Sequence, residues 1–489
     1  MTYLHVFKHW CERLYRWHLI RMPTREKRTP MEWSNLLCRE RPRPSTMQRD
    51  HRTEFERDWD RTIFSTPVKR LQDKAQVFPL EPHDAVRTRL THSLEVSSVA
   101  RGIAMAVSKW LLDEGRIDPG MDRWIEAIAA VCGLIHDLGN PPFGHSGEDA
   151  IREWFRTRFK PKELSAMLRE DEQLVQDFLK FEGNAQSLRL IAKLQILADA
   201  NGLNLTYGTL SASCKYLASS VEADESGEAG HAWSKPGYFK SEQSLVEEIR
   251  SRTGTGPARN PITFIVEAAD DIVYSAADVE DAVKKGVLRW REVHDFLRSA
   301  KDPDVTEALE LMDTILKAGQ SSSQPKLPDD AYASAFRTAA ISLLVRSATE
   351  EYQRAYDEIM GGNYDHDIAE KCKAAGLLEQ LKTLGRTRVY CTPSNLKLEL
   401  MGRRVILDLM DVFWEGASVL PTVDPPKTKK FPGKIGALLS ENYRRAFRTA
   451  VRTRTDLPEA YHRFQLVTDY VCGMTDSFAQ RLHRELTNG

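Results

Sequence analysis

GLIHDLGNPPFGHSGED, residues 133–149, is the stretch from which the rest of the chain is best read. It closes an apolar helical pattern, sets His136 and Asp137 side by side at the C-terminal end, and turns through Gly139, Pro141, Pro142 and Gly144. A second helix then opens at His145 and Glu148. The helix macrodipole disfavours an acid at a C-terminus, so an ordinary loop aspartate is a poor account of Asp137. Imidazole nitrogen and carboxylate oxygen reaching together from a helix end suit a divalent cation of hard to borderline character. Two ligands are not a site, and the others must come from other helices.

Two places can supply them. His92 lies in RTRLTHSLEV, at the start of a strongly periodic segment with Arg89 about one turn before it. FIVEAADDIVYSAADVEDA carries the adjacent acids Asp270 and Asp271 in a helix that reads as buried, where an unpartnered carboxylate is costly. Each residue has a plainer reading. A lone histidine such as His92 is usually a satisfied core or helix-start residue, and Asp270, Asp271, Asp278 and Glu280 can form a solvated acidic face. His145 and Glu148, one turn apart, can be a surface cap, or Glu148 can orient the imidazole and raise its basicity.

Helical period dominates from Phe55 onward, with apolar residues at three and four spacing in 92–114, 123–137, 184–197, 262–283, 331–356, 398–414 and 461–486. Alternating strand patterns are scarce, and the expected fold is all-α. Polar intervals at 221–242, 321–330 and 421–434 read as surface segments, the first as a surface excursion. The basic, aromatic residues 1–48 read as an extension: a disordered arm, a partner-binding helix, or sequence upstream of a start at Met31. Residues 49–489 form the body, with a metal-binding core over about 64–285 and a C-terminal helical part over about 286–489.

The 489 residues contain 69 Lys and Arg against 70 Asp and Glu, so no global charge marks a nucleic-acid coat or a membrane-surface protein. With 41% hydrophobic residues there is ample material for a core, which excludes disorder of the whole chain. The seven cysteines form no CxxC pair, so a zinc ribbon or disulfide framework is not suggested, and a reducing cytoplasm is the expected setting. No apolar run approaches the roughly 20 residues that span a bilayer, and no export signal or anchor is read.

Taken together, QVFPLEPHDAVRTRLTHSLEV, HDLGNPPFGHSGEDA, FEGNAQSLRL, CKYL, KPGYF, EAADDIVYSAADVEDA and DYVCGMTD resemble, in order, the bacterial dGTP triphosphohydrolases within the HD-superfamily dNTP triphosphohydrolases. The resemblance implies an all-α fold, an HD-domain helical core elaborated with additional helices, and metal-dependent hydrolysis of dGTP or other dNTPs to deoxynucleoside and inorganic triphosphate. Metal ligands would be His92, His136, Asp137 and Asp270, holding Mg²⁺ or Mn²⁺, though such donors also accept other transition metals. Spacing favours Asp270 over Asp271, because Asp270, Tyr274 and Asp278 share one helix face while Asp271 points about 100° away. The family likeness further implies that Tyr274 packs on the sugar and excludes a ribose hydroxyl, and that Asp278 reaches the 3′-hydroxyl. His145 with Glu148 would be catalytic. Arg89, Asn184, Lys215 and Tyr216 match positions near the phosphates, Gln76 and Val77 the nucleoside pocket, and Tyr390 and Glu399 the base pocket. Lys434, Arg444 and Arg445 are weaker candidates for phosphate contacts. A ring-like homo-oligomer, a hexamer, is implied as well. The rival expectations are an HD phosphohydrolase on another nucleotide, and a nucleotide-sensing oligomer that binds single-stranded DNA.

Overall fold

The computed structural model describes residues 29–45, 50–81, 83–194, 201–319, 327–422 and 428–487. Among these there is no strand, and the only bridges are isolated ones, Ala75 with Thr88 and Ala218 with Pro236. The fold is all-α, as the periodicity predicts. No described helix is long and apolar enough to cross a membrane.

Among the helices of the first apolar core are α1 (Arg89–Asp113), α2 (Met121–Ile135), α3 (Pro261–Lys284) and α4 (Asp329–Arg354). Thr88 caps α1 by accepting the Thr91 N–H, while Asn260 caps α3 through Ile262 N at 3.0 Å, with Pro261 preset at the first helical position. α1 and α2 cross backbone to backbone. A Cβ on Gly133 would come within 2.7 Å of Ser97 Cα, and Ser97 Oγ donates to Ala130 O at 2.7 Å. That close crossing brings His92 of α1 beside His136, which follows α2.

A second core is aromatic. Trp154 and Phe155 lie on α5 (His145–Arg158), Trp414 on α6 (Pro393–Ser418) and Phe464 on α7 (Glu459–Cys472). Trp414 stacks on Phe464 at 4.6 Å and Phe155 meets Phe464 edge-on at 5.3 Å. α2 belongs to both cores. Ile125, Ile128 and Cys132 face the first, whereas Val131, Leu134 and Ile135 face the second. Over residues 127–135 α2 is apolar all round, as a buried helix is, and its end, His136 and Asp137, emerges at the seam.

Some boundaries differ from the sequence expectation. Residues 461–486 form two helices, α7 and α8 (Asp476–Thr487), because the chain breaks at Gly473 to Thr475. The helix expected over 184–197 runs over Gly183–Arg189 and widens into a π turn over Leu190–Leu194; its last expected residues lie outside those described. The interval 221–242 is not wholly a surface excursion: Tyr238, Phe239, Ser241 and Glu242 are buried, because this end packs against Phe181 and Arg189. Within the expected extension 1–48, Trp33, Leu36 and Leu37 lie in the first core, and Arg41 donates to Asp58 at 2.5 Å. Those residues pack with the body, while residues 1–28 lie outside the described part.

Candidate active site

α3 is buried over nearly its whole length, yet it carries Glu267, Asp270, Asp271, Asp278, Glu280 and Asp281. A buried carboxylate needs a partner, and each has one. Glu267 receives Arg259 at 2.6 Å and His231 at 2.9 Å, with Lys215 Nζ at 3.4 Å. Asp271 receives Lys382 at 2.6 Å, Asp278 receives the Tyr390 hydroxyl at 2.6 Å, and Arg87 bonds both Glu280 and Asp281 at 2.5 Å. The solvated acidic face is therefore not what the helix forms. Asp270 alone turns to two imidazoles.

His92 Nε2 lies 3.1 Å and His136 Nε2 3.4 Å from Asp270 Oδ1, and the two rings sit edge to face at 5.3 Å. The three ligand atoms lie within 4.8 Å of one another. His136 Nδ1 lies 2.7 Å from Gly133 O, which can only accept, so Nδ1 carries the proton and Nε2 of the neutral ring presents its lone pair. That lone pair faces the carboxylates of Asp270 and, at 3.5 Å, Asp137. Such an arrangement calls for positive charge between the groups. Burial works against a charged His136, but Asp137 and Asp270 outweigh it and lift its pKa to about 9. The same field suits a divalent cation, and the donor set fits one.

Asp137 stands beside this trio rather than within it. Its Oδ2 accepts from Arg89 and its Oδ1 from Asn140 Nδ2 at 2.6 Å. Arg89 thus answers the charge of an acid placed at the wrong end of a helix dipole. Behind the loop, a Cβ on Gly139 would lie 2.2 Å from both Gly183 O and Ser187 N, so the loop rests directly on the short helix Gly183–Arg189. Gly183 N in turn donates to Glu148 Oε1 at 2.6 Å. Glu148 Oε2 holds His145 Nδ1 at 2.9 Å, and this bond is the largest cause of the raised His145 pKa. The His145 side chain is 85% exposed and Glu148 is buried behind it.

These groups surround a cavity of about 600 Å³, a volume suited to a small organic ligand. A family model described as the HD domain matches residues 89–201. The chain is 35% identical over 471 residues, 93% of its length and 99% of the relative's, to the deoxyguanosinetriphosphate triphosphohydrolase-like protein of Listeria innocua serovar 6a. The same figures hold for the protein of that name from Listeria monocytogenes serovar 1/2a. It is 33% identical over 476 residues, 88% of its length and 93% of the relative's, to the deoxyguanosinetriphosphate triphosphohydrolase of an Enterobacter species. The chain belongs to the dNTP triphosphohydrolase family.

Of the family positions picked out in the sequence, setting aside the weaker candidates Lys434, Arg444 and Arg445, all but His92 and Glu148 line the cavity, and those two are buried. α3 orders them. At about 1.5 Å per residue, the helix passes Glu267 with Lys215, then Asp270, Tyr274 and Asp278 with Tyr390. Arg89, His145, Asn184, Lys215 and Tyr216 line the cavity with the histidine cluster; Gln76, Val77 and Glu399 line it too. Asp271, expected about 100° away, does turn to Lys382 yet still borders the cavity. Burial pushes Asp278 up to about 7, and its Oδ1 is buried without a partner, as are Gln76 Oε1 and Asn395 Oδ1. Lys434, Arg444 and Arg445 are not among the lining residues.

Glu182, Lys235 and Asn395 also line the cavity and were not singled out from the sequence. Glu182 accepts from Asn184 at 2.9 Å and Arg152 at 3.1 Å, with Lys235 at 3.9 Å. The signal was there for two of them: Glu182 stands in FEGNAQ and Lys235 in KPGYF, both among the matching segments. Asn395 offers no comparable mark.

Proposed function

We propose that the protein hydrolyses deoxynucleoside triphosphates, dGTP foremost, to deoxynucleoside and inorganic triphosphate. The observation that carries this reading is the order along α3: an imidazole and carboxylate cluster, then a tyrosine, then an aspartate with a free acceptor, at successive four-residue steps facing one cavity. That order matches α-phosphate, sugar ring and 3′-hydroxyl. The names of the relatives support guanine as the base.

His92, His136 and Asp270, with Asp137 at their edge, would hold Mg²⁺ or Mn²⁺, which supplies Lewis acidity toward phosphate oxygen and water. Arg89, Lys215 and Lys235 offset the triphosphate charge. Water attacks the α-phosphorus and the bond to the 5′-oxygen breaks. His145, whose charged form the Glu148 carboxylate favours, gives its proton to that oxygen, and the proton lost by the attacking water passes to solvent. Tyr274 closes on the sugar where a 2′-hydroxyl would sit, and Asp278 Oδ1 accepts the 3′-hydroxyl. The hexamer implied by the family would give exposed Leu396 and Leu400, one turn apart on α6, an apolar surface to pack against.

Chromatography of the products of purified protein with dGTP and Mn²⁺ tests the reaction. Triphosphate and deoxyguanosine should appear in equal amounts, and their release should stop on chelation; pyrophosphate or phosphate as first product refutes it. Tyr274→Ala should raise GTP turnover relative to dGTP by about tenfold or more, and unchanged discrimination removes the steric role.

A further inference from the structure

The turn between α7 and α8 ends the segment DYVCGMTD and lies against the loop that carries His145. Asp476, only 2% exposed, opens α8 with both carboxylate oxygens committed to backbone N–H groups far away in sequence. Oδ1 accepts from Phe143 N at 3.0 Å and Oδ2 from Ala75 N at 2.9 Å. Phe143 stands two residues before His145, and Ala75 immediately before Gln76 and Val77. Neither Asp476 nor its neighbour Lys74 lines the cavity, whereas Ala75, Asn140 and Phe143 do.

Lys74 makes the second half of the junction. It is 3% exposed, and its ammonium donates to Asn140 O at 2.6 Å and Cys472 O at 2.8 Å. Its own carbonyl accepts from Arg89 N at 2.9 Å, where α1 begins. One junction therefore ties together the nucleoside wall, the start of α1, the loop after Asp137 and the C-terminal turn.

Phe143 shows why this tie matters. Its φ is +64°, a left-handed conformation that a bulky residue leaves unless something holds it. Its ring is pinned against Gly402, where an added Cβ would lie 2.5 Å from Phe143 Cγ, and its N–H is pinned by Asp476. Releasing the N–H lets the backbone relax, and the direction in which Gly144 presents His145 changes with it.

We infer that Lys74 and Asp476 are positioning residues that hold the His145 loop and the Gln76–Val77 wall in register across the cavity. The inference rests on the proposed reaction for its kinetic consequence, though not for the tether itself. A carboxylate is required because both of its oxygens accept, while an amide sets an NH₂ group against one of the two N–H donors.

Asp476→Asn in the full chain should lower kcat for dGTP by about tenfold or more, since loss of alignment costs rate. KM should rise as well through the Gln76 side, and Mn²⁺ affinity should stay within about threefold because neither N–H held by Asp476, of Phe143 and of Ala75, belongs to a metal-facing residue. Added to His145→Ala, the same change should cost less than about threefold further, because the histidine it positions is gone. Losses that multiply in the double variant, as general weakening of the fold produces, overturn the inference, and so does an unchanged kcat. Lys74→Met is scored in the same way if the asparagine variant does not fold. Hydrogen exchange of a peptide spanning residues 138–148 reads the tether without substrate. It should quicken in either variant, and unchanged exchange overturns the inference. If the wild-type protein releases no triphosphate, the proposed reaction fails while the exchange result still decides the tether.

Discussion

His145 is the most exposed of the residues read as chemical, and its protonation is set by one buried neighbour. The Glu148 hydrogen bond lifts its pKa above the ordinary 6.5, and partial loss of hydration in the cavity mouth offsets only part of that. As the acid of the proposed reaction, His145 must be protonated, so with metal saturating kcat should decline as pH rises through the raised value. Glu148→Gln removes the charge that favours imidazolium, and the declining limb should move toward 6.5. A pH profile of kcat for both proteins checks this; limbs that coincide would mean that His145 does not titrate in turnover. At this scale the sequence is legible wherever a motif names a residue with its neighbours. His136, Asp137, His145 and Glu148 fall in one short run, and the structure sets them around one cavity. Asn395 was missed because its only qualification is spatial: it lies near Tyr390 O, at 3.2 Å.

α3 shows what an element adds. Its period and its capping Asn260 are written in residues 260–284, and the helix forms over nearly the expected span. The answers to its acids are not written there. Lys382 lies 111 residues beyond Asp271, Tyr390 112 beyond Asp278, and Arg87 well before Glu280, so only the fold matches them. The solvated-face reading fails for that reason. Glu267 and Arg259 are each 1% exposed, and removing one partner of a buried pair leaves an uncompensated charge. Arg259→Ala should cost about 3 kcal/mol, with Lys215 and His231 limiting the loss. Burial opposes ionisation of Glu267, yet Lys215 and Arg259 hold its carboxyl well below the ordinary 4.5. A depressed carboxyl stabilises the fold above the unfolded value and ceases to do so as pH falls. Urea unfolding at pH 7 and pH 4 should therefore show the arginine's contribution shrinking at the lower pH. An equal difference at both would disconnect the pair from acid stability.

At the scale of the molecule, helix content and the HD core are legible from period and motif, while the division into two cores is not. It depends on α2 presenting Ile125 and Ile128 to one mass and Leu134 and Ile135 to another, a distinction a uniformly apolar stretch cannot display. The 55.7 kDa chain also leaves Leu400, next in sequence to the cavity-lining Glu399, 67% exposed. Light scattering on eluting protein should give six times the chain mass, and Leu400→Glu should shift it downward. A wild-type mass of one chain would rule out the hexamer. The contact of Gly139 with Gly183 and Ser187 has a consequence at this scale too. A single methyl group there acts as a wedge between the two halves of the catalytic floor. Selection for inactive variants should therefore return alanine at residue 139 as readily as changes to the histidines, although it alters no ionisable group.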